Sequence, residues 1–349
     1  MIAAAPAPPD RVLIIKPSSL GDVVTALPVL RGLKRTFPQA RAGWLLATTC
    51  APLLEADDDL DEIILFDRQR LGRAWRSGGA AWALGGLLRT LRKKHFDWVI
   101  DLQGLLRSGL LAAATGAELR AGFADAREGA ALFYTHRFGV EELHTVDRNI
   151  ALARLLGIDA RREDMRLKVA GPGQAFVEAF CRGHGLRGGD FLILVPPTRW
   201  TTKLYPVRHW RTVAAALSRR APVVLIGSPA EKPLCDAVAR DCPPGVLNLA
   251  GATGVAEMVG LISRAAGVVC SDSAAKFIAP SVGVDALVLI GPTRVERTGP
   301  VLRGRALVAD VPCQGCLKRR CSHVTCMQSI APADVIAAAM KFFDAKVSG

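Results

Sequence analysis

The feature that most restricts this chain is an alternation along its length. Short runs rich in Val, Ile and Leu recur between stretches whose apolar residues fall at helical spacing, beginning with Arg11–Lys16 and Val23–Thr36. A run that is apolar at nearly every position is a strand buried on both faces, and a parallel sheet covered by helices on both sides buries strands in that way. The expected strands are Arg11–Lys16, Trp44–Thr49, Glu62–Asp67 and Trp98–Gln103, then Phe191–Pro196, Val223–Gly227, Val268–Asp272 and Ala286–Gly291. Amphipathic stretches at Val23–Thr36, Ala80–Lys94, Val207–Arg219 and Val255–Ala265 supply the covering helices. The polar, Gly/Pro-containing stretch Ala160–Gln174 interrupts the rhythm. The expected fold class is therefore α/β, with two doubly wound Rossmann-like domains, residues 1–168 and 169–349, facing a cleft. A final helix, Pro332–Lys346, follows a cysteine-rich segment and is a candidate to pack back on the first half.

A length of 349 residues suits two domains, and a chain that is 50% hydrophobic and 22% charged is not a disordered one. No run reaches the roughly 18 apolar residues of a membrane-spanning helix. Met1–Asp10 has no basic residue ahead of an apolar core, so it reads as a frayed end and a cytoplasmic location is expected. The net charge of +13 favours an anionic partner. The densest basic clusters, Arg89–Lys94 and Lys318–Arg320, carry no interleaved aromatics. A base-stacking platform for nucleic acid is thereby disfavoured, leaving phosphate groups or an anionic membrane surface.

In doubly wound sheets ligands bind outside the carboxyl ends of the strands, so the strand-exit loops are the ones to read. After the first strand comes Pro17-Ser-Ser-Leu-Gly-Asp22. Ser19 and Asp22 have capping-box spacing, and a carboxylate at the same place is also able to take a proton from a substrate hydroxyl; spacing leaves both open. Phe191–Pro196 leads into a loop with the hydroxyls of Thr198, Thr201 and Thr202 and the cations Arg199 and Lys203. Val268–Asp272 leads into Ser273-Ala-Ala-Lys-Phe, where Asp272 or Ser273 either caps a helix or opens a phosphate-binding turn.

Lys16-Pro-Ser-Ser-Leu-Gly-Asp-Val-Val-Thr-Ala-Leu-Pro-Val-Leu30 resembles the opening motif of the lipopolysaccharide heptosyltransferases, glycosyltransferase family nine. Agreement continues at Asp101–Ser108, Gly122-Phe, Ala126–Gly129, Phe133-Tyr134 and Val146–Asn149. It extends through Trp200–Lys203, His209-Trp210, Gly291–Thr293 and Arg297–Pro300, so it covers Arg11 to about Val335, and the first-half motifs are nearest the heptosyltransferase I branch. The resemblance implies a GT-B fold with an acceptor domain and a nucleotide-sugar domain. It also implies inverting, metal-independent transfer of a heptose from ADP-heptose to an anionic, lipid-linked inner-core acceptor, by an enzyme peripheral on the inner face of the inner membrane.

Carried onto this chain, the resemblance makes Asp22 the general base and Lys203 the cation on the departing diphosphate. Thr198, Arg199, Glu231, Thr253, Asp272, Ser273, Ala274 and Lys276 become donor-binding candidates. Ser19, Arg107, Arg127, His144 and Arg148 become acceptor-binding candidates, the arginines suiting carboxylates and phosphates. The chain departs from the family where Ala274 and Phe277 replace a usual glycine and histidine, with Lys276 a candidate to replace the histidine's contact; Pro280 should shorten or kink the helix that follows. That departure keeps two rivals open, a family member with another donor or acceptor and a silent nucleotide-sugar-binding protein. A dinucleotide-dependent oxidoreductase is disfavoured by the lack of G-x-G-x-x-G in either loop. No cofactor is required by any of this. Cys313, Cys316, Cys321 and Cys326, with His323 among them, leave structural metal (zinc or iron), reduced packing thiols and a disulfide open.

Overall fold

The computed structural model describes residues 7–67 and 77–344. Most of the expected frayed start, and the last two residues of the expected final helix, lie outside the described residues. The chain divides into two units, Met1–Arg166 and Leu167–Gly349.

The first unit contains β1 (Arg11–Ile15), α1 (Leu20–Val24), α2 (Leu27–Thr36), β2 (Arg41–Ala47), β3 (Glu62–Phe66), α3 (Gly78–Lys93), β4 (Trp98–Asp101), α4 (Leu106–Thr115), β5 (Leu119–Phe123), β6 (His136–Phe138) and α5 (Thr145–Leu155). Its six strands are parallel, in the order β3-β2-β1-β4-β5-β6. Val12, Leu13, Ile14 and Ile15 of β1 are fully buried, as a central strand covered on both faces requires. Each such side chain contributes about 1.5–3 kcal/mol relative to exposure.

The second unit contains α6 (Gly171–His184), β7 (Leu192–Val195), α7 (Val207–Leu217), β8 (Val223–Leu225), α8 (Lys232–Ala239), β9 (Val246–Asn248), α9 (Val255–Arg264), β10 (Gly267–Ser271), α10 (Ala275–Ser281), β11 (Ala286–Ile290), α11 (Val295–Thr298), β12 (Gly304–Val308), α12 (Thr325–Gln328) and α13 (Pro332–Asp344). Its sheet is again parallel and six-stranded, in the order β12-β11-β10-β7-β8-β9. Both sheets have the strand order of a dinucleotide-binding fold, reversing between β1 and β4 in one and between β7 and β10 in the other.

Two details differ from expectation, and the final helix shows where one of its faces goes. The helix expected over Val23–Thr36 is two helices, broken at Thr25 and Ala26, because Pro28 starts a helix well but has no N–H to continue one. The interruption at Ala160–Gln174 splits between the units. Its first part is tied to α2 by Arg35, which ion-pairs with Asp164 and, at 3.3 Å, with Asp159, while residues from Gly171 onward start α6. The buried stripe of α13, Val335, Ala339 and Phe342, belongs to the second unit's core, with the Phe342 ring against Gly267 of β10. That face packs on the second sheet.

Candidate active site

On the first sheet the residues singled out above leave four adjacent strands in order. Asp22 follows β1, Arg107 follows β4, Arg127 follows β5, and His144 and Arg148 follow β6. All therefore sit at the carboxyl edge. The Asp22 carboxylate is half-buried and reaches back to the start of α1, where its Oδ2 accepts from the Ser19 backbone N–H at 2.9 Å and from the Ser19 hydroxyl at 2.8 Å. Its Oδ1 has no hydrogen-bond partner among the described residues. The two readings of this residue are compatible: one oxygen caps the helix and the other is free to take a proton. Behind the loop, Lys16 is buried and donates to the Leu102 carbonyl at 2.5 Å. Burial holds its ammonium below the usual lysine range, against the pull of the Asp22 and Asp101 carboxylates. Asn149 donates to the Thr25 carbonyl at 3.0 Å and so fixes α5 against the end of α1.

The arginines differ in their freedom. Arg148 is already engaged, bidentate to Asp125 at 2.7 and 2.9 Å and lying 4.8 Å from the Phe123 ring centroid. Arg107 and Arg127 are exposed. His144 caps α5, accepting from the Val146 N–H at 3.3 Å, which gives it a structural duty.

Sequence reasoning gave no role to Asp101 or Tyr134, although both lie in quoted motifs. Fully buried Asp101 accepts from the Tyr134 hydroxyl at 2.7 Å and from the N–H groups of Gln103 and Gly104, at 2.8 and 3.2 Å, so it shapes the exit of β4. Gly122 is obligatory beside it, since a Cβ there would lie 2.2 Å from the Tyr134 ring. Tyr134→Phe should lower stability by about 1–3 kcal/mol by removing a hydrogen bond from a buried carboxylate. Chemical denaturation is the check, and an unchanged midpoint would show that water replaces the hydroxyl there.

On the second sheet Asp272 follows β10, Thr198 follows β7, Glu231 follows β8 and Thr253 follows β9, again four adjacent strands at one carboxyl edge. Asp272 is the hub. Its Oδ2 meets Lys203 Nζ at 2.8 Å and the Thr293 hydroxyl at 2.5 Å, while its Oδ1 pairs with Lys276. Thr198 Oγ1 donates to the Asp272 backbone carbonyl at 2.9 Å, tying the β7 exit to the β10 exit. Burial pulls the Asp272 carboxyl upward, but the Lys276 and Lys203 ammoniums outweigh it and hold it at about 2. Burial likewise holds Lys203 below the usual lysine range. Lys203 lies 4.3 Å and Arg319 4.6 Å from the Trp200 ring centroid, so two cations share one indole.

The remaining donor-side candidates are looser. Glu231 uses Oε2 to accept from the Ser228 N–H and hydroxyl at 2.8 and 2.7 Å, a capping arrangement like that of Asp22. Arg199 is exposed and Thr253 half-exposed. The helix expected to open a phosphate-binding turn after Asp272 is only seven residues long and contains Pro280. It presents the Lys276 side chain to this corner, with Ser273 and Ala274 just ahead of it. Thr293 and Arg319 had gone without a role, one inside a quoted motif and one inside a basic cluster.

The cysteine-rich segment is a separate feature. Cys313, Cys316, Cys321, Cys326 and His323 line a cavity of about 40 Å³, and the cysteines are free thiols. Among the described residues no group of three or more His, Cys, Asp or Glu side chains is arranged to hold a metal ion. Cys326 and Met327 pack instead onto Gly291 at the end of β11, where a Cβ would lie 2.9 Å from the Cys326 sulfur. Burial, with the neighbouring Cys313, Cys316 and Cys321 sulfurs, pushes the Cys326 thiol up to about 11.

Residues 85–326 match the profile of glycosyltransferase family 9 (heptosyltransferase). Lipopolysaccharide heptosyltransferase 1 of Pseudomonas aeruginosa is 29% identical over 328 residues, covering 90% of this chain and 88% of that one. Among solved structures, a glycosyl transferase family 9 protein from Veillonella parvula superposes with a TM-score of 0.81 at 18% identity, over 95% of this chain and 97% of the other. The Escherichia coli heptosyltransferase WaaC with ADP-2-deoxy-2-fluoro heptose gives 0.75 at 22% identity, over 94% and 99%. The two Rossmann-like sheets are thus those of a GT-B fold.

Proposed function

Because the chain belongs to glycosyltransferase family 9, we propose that it transfers a heptose from ADP-heptose to an inner-core lipopolysaccharide acceptor, with inversion and without a metal ion. The observation that carries the reading is the contrast between the two carboxyl edges. One bears a carboxylate, Asp22, with an uncommitted oxygen; the other bears a buried cluster, Lys203, Lys276 and Asp272, with more cations than anions.

The chemistry follows from those groups. Asp22 Oδ1 takes the proton of the acceptor hydroxyl as its oxygen bonds to the anomeric carbon. The bond from that carbon to the diphosphate breaks on the opposite side, which inverts the centre. Negative charge grows on the departing ADP, and Lys203 stabilises it more in the transition state than before. The ammoniums supply the positive charge that a divalent cation would otherwise bring. On the acceptor edge, Arg107 and Arg127 are the groups available to an anionic glycan, with Ser19 and Arg148 joining when they exchange Asp22 and Asp125 for substrate. Thr198, Arg199, Glu231, Thr253, Ser273 and Ala274 complete the donor edge, Glu231 reading the ribose with its second oxygen. The cysteine segment has a structural duty in this reading, and no cofactor takes part.

The +13 charge supports a peripheral position on the anionic inner leaflet, on the cytoplasmic side. No helix among the described residues is long and apolar enough to cross a membrane. Nucleic acid is not a partner in this account.

Thermal unfolding with a panel of nucleotide sugars tests the donor. ADP-heptose at a hundred times its dissociation constant should add about 2.7 kcal/mol, and UDP- and GDP-sugars little. Equal stabilisation by a UDP- or GDP-sugar would favour a family member that moves another sugar. Lys203→Ala should weaken ADP binding about tenfold to a hundredfold, the range for hydrogen bonds to charged groups. Unchanged affinity and rate would remove Lys203 from the site.

A further inference from the structure

Among the described residues of the first unit, two buried side-chain polar atoms have no hydrogen-bond partner, Arg11 Nε and Gln103 Oε1. Arg11 opens β1 at the amino edge of the sheet and reaches Glu62 through another nitrogen at 3.2 Å. Gln103 is at the carboxyl edge, two residues beyond β4. Its backbone is held there, with its N–H donating to Asp101 Oδ1 at 2.8 Å. Leu102 just before it is bonded twice to the exit of β1, donating to the Ile15 carbonyl at 3.1 Å and accepting from Lys16 Nζ at 2.5 Å. The amide therefore stands where β4 leaves beside β1. The strand order of the first sheet reverses at that point, and such sheets bind their ligands there. The exit of β1 carries Asp22, whose Oδ1 is likewise uncommitted. A buried acceptor oxygen without a donor is unfavourable, and a ligand that brings the donor removes the cost.

We infer that Gln103 is a specificity-determining residue for the acceptor, its amide taking a sugar hydroxyl next to the one that Asp22 deprotonates. The ligand class follows from hydrogen-bonding capacity. An amide oxygen and a carboxylate oxygen both accept, so the group that satisfies the two brings protons on neighbouring oxygens, as a polyhydroxylated sugar ring does. A carboxylate or phosphate has no proton to give and suits the exposed guanidiniums of Arg107 and Arg127 instead. A hydroxyl also suits the amide turned over, because it accepts as well as donates. Such a contact discriminates, since an acceptor lacking the hydroxyl leaves the buried oxygen unpaired. This inference rests on the reading of the first sheet's carboxyl edge as the acceptor site.

The test uses the whole chain with ADP-heptose and Kdo-lipid A, and with acceptor analogues that each lack one hydroxyl of the acceptor sugar other than the attacked one. Gln103→Met keeps the length of the side chain without its polar end. It should lower kcat/KM for the acceptor about tenfold or more, while ADP affinity in calorimetric titration stays within about twofold. One analogue should cost the wild type a similar factor. The same analogue should cost the Met variant less than about twofold further, because the bond it removes is already gone. If the Met variant does not fold, Gln103→Ala replaces it, and the same pattern is expected. Unchanged kcat/KM in the variant, or equal penalties in wild type and variant for every analogue, would overturn the inference. Those outcomes leave the acceptor-site reading intact provided that the wild type transfers to Kdo-lipid A. A wild type without acceptor-dependent transfer would overturn that reading and this inference together.

Discussion

Asp22→Asn abolishes most of the transfer rate, by a factor of about 10²–10⁴, the usual contribution of a positioned general base. The substitution isolates the chemistry. An amide oxygen still accepts from the Ser19 N–H and hydroxyl that now bond Oδ2, so the start of α1 keeps its cap. Asp22→Ala, which also removes the cap, should lower activity as far and cost about 1 kcal/mol of stability besides. Neither variant touches the second sheet, so ADP affinity should stay within about twofold of the wild type. Turnover and ADP titration on the same preparations separate the effects, and normal turnover in the Asn variant would refute the base assignment.

The largest effect on stability is expected at Asp272. Replacing it with Ala leaves the ammoniums of Lys203 and Lys276 facing each other, buried, with no counter-charge. Removing one partner of a buried ion pair typically destabilises by about 3–5 kcal/mol. The loss should be partly reversed by ADP if the nucleotide's phosphates replace the missing carboxylate. The acid response has a definite sign. The carboxyl is held at about 2 in the folded protein, against about 3.9 in an unfolded chain. Its contribution is therefore complete above about pH 4 and is lost as pH falls through about 2. Denaturant midpoints for wild type and Asp272→Ala at neutral pH and near pH 2 should differ widely at the first and converge at the second. Equal midpoints at neutral pH would mean that the lysines find other partners.

Much of the fold was legible because the central strands are apolar at almost every position. β1, β4 and β7 lie within runs expected from sequence, and β10 overlaps its expected run with a shift of one residue. The strands that escaped notice are the weakly patterned ones: β5 (Leu119–Phe123) and β12 (Gly304–Val308) each carry an arginine and a glycine, β6 (His136–Phe138) is largely exposed, and β9 (Val246–Asn248) has only three residues. β6, β9 and β12 are edge strands that are partly exposed, so the continuous apolar signal disappears there, whereas β5 is mostly buried and its run is broken only by Arg120 and Gly122.

The site was legible as a set of loops, not as a set of bonds. Sequence order located Asp22, Lys203, Asp272 and Lys276 on strand exits. It gave no hint that both lysines meet on the same carboxylate, because that depends on β7 and β10 being neighbours although 71 residues of chain separate Val195 from Gly267. Thr293 and Tyr134 were quoted within motifs and given no task for the same reason. A hydroxyl that completes a buried carboxylate's bonding looks ordinary until the carboxylate is beside it.

The most direct measurement is transfer itself: purified protein, ADP-heptose and a Kdo-lipid A acceptor, with the lipid product analysed by mass spectrometry. The account predicts a product heavier by one heptose residue, formed by the wild type in metal-chelated buffer and lost in Asp22→Asn. Binding of ADP-heptose with no heptosylated lipid from the wild type would contradict it.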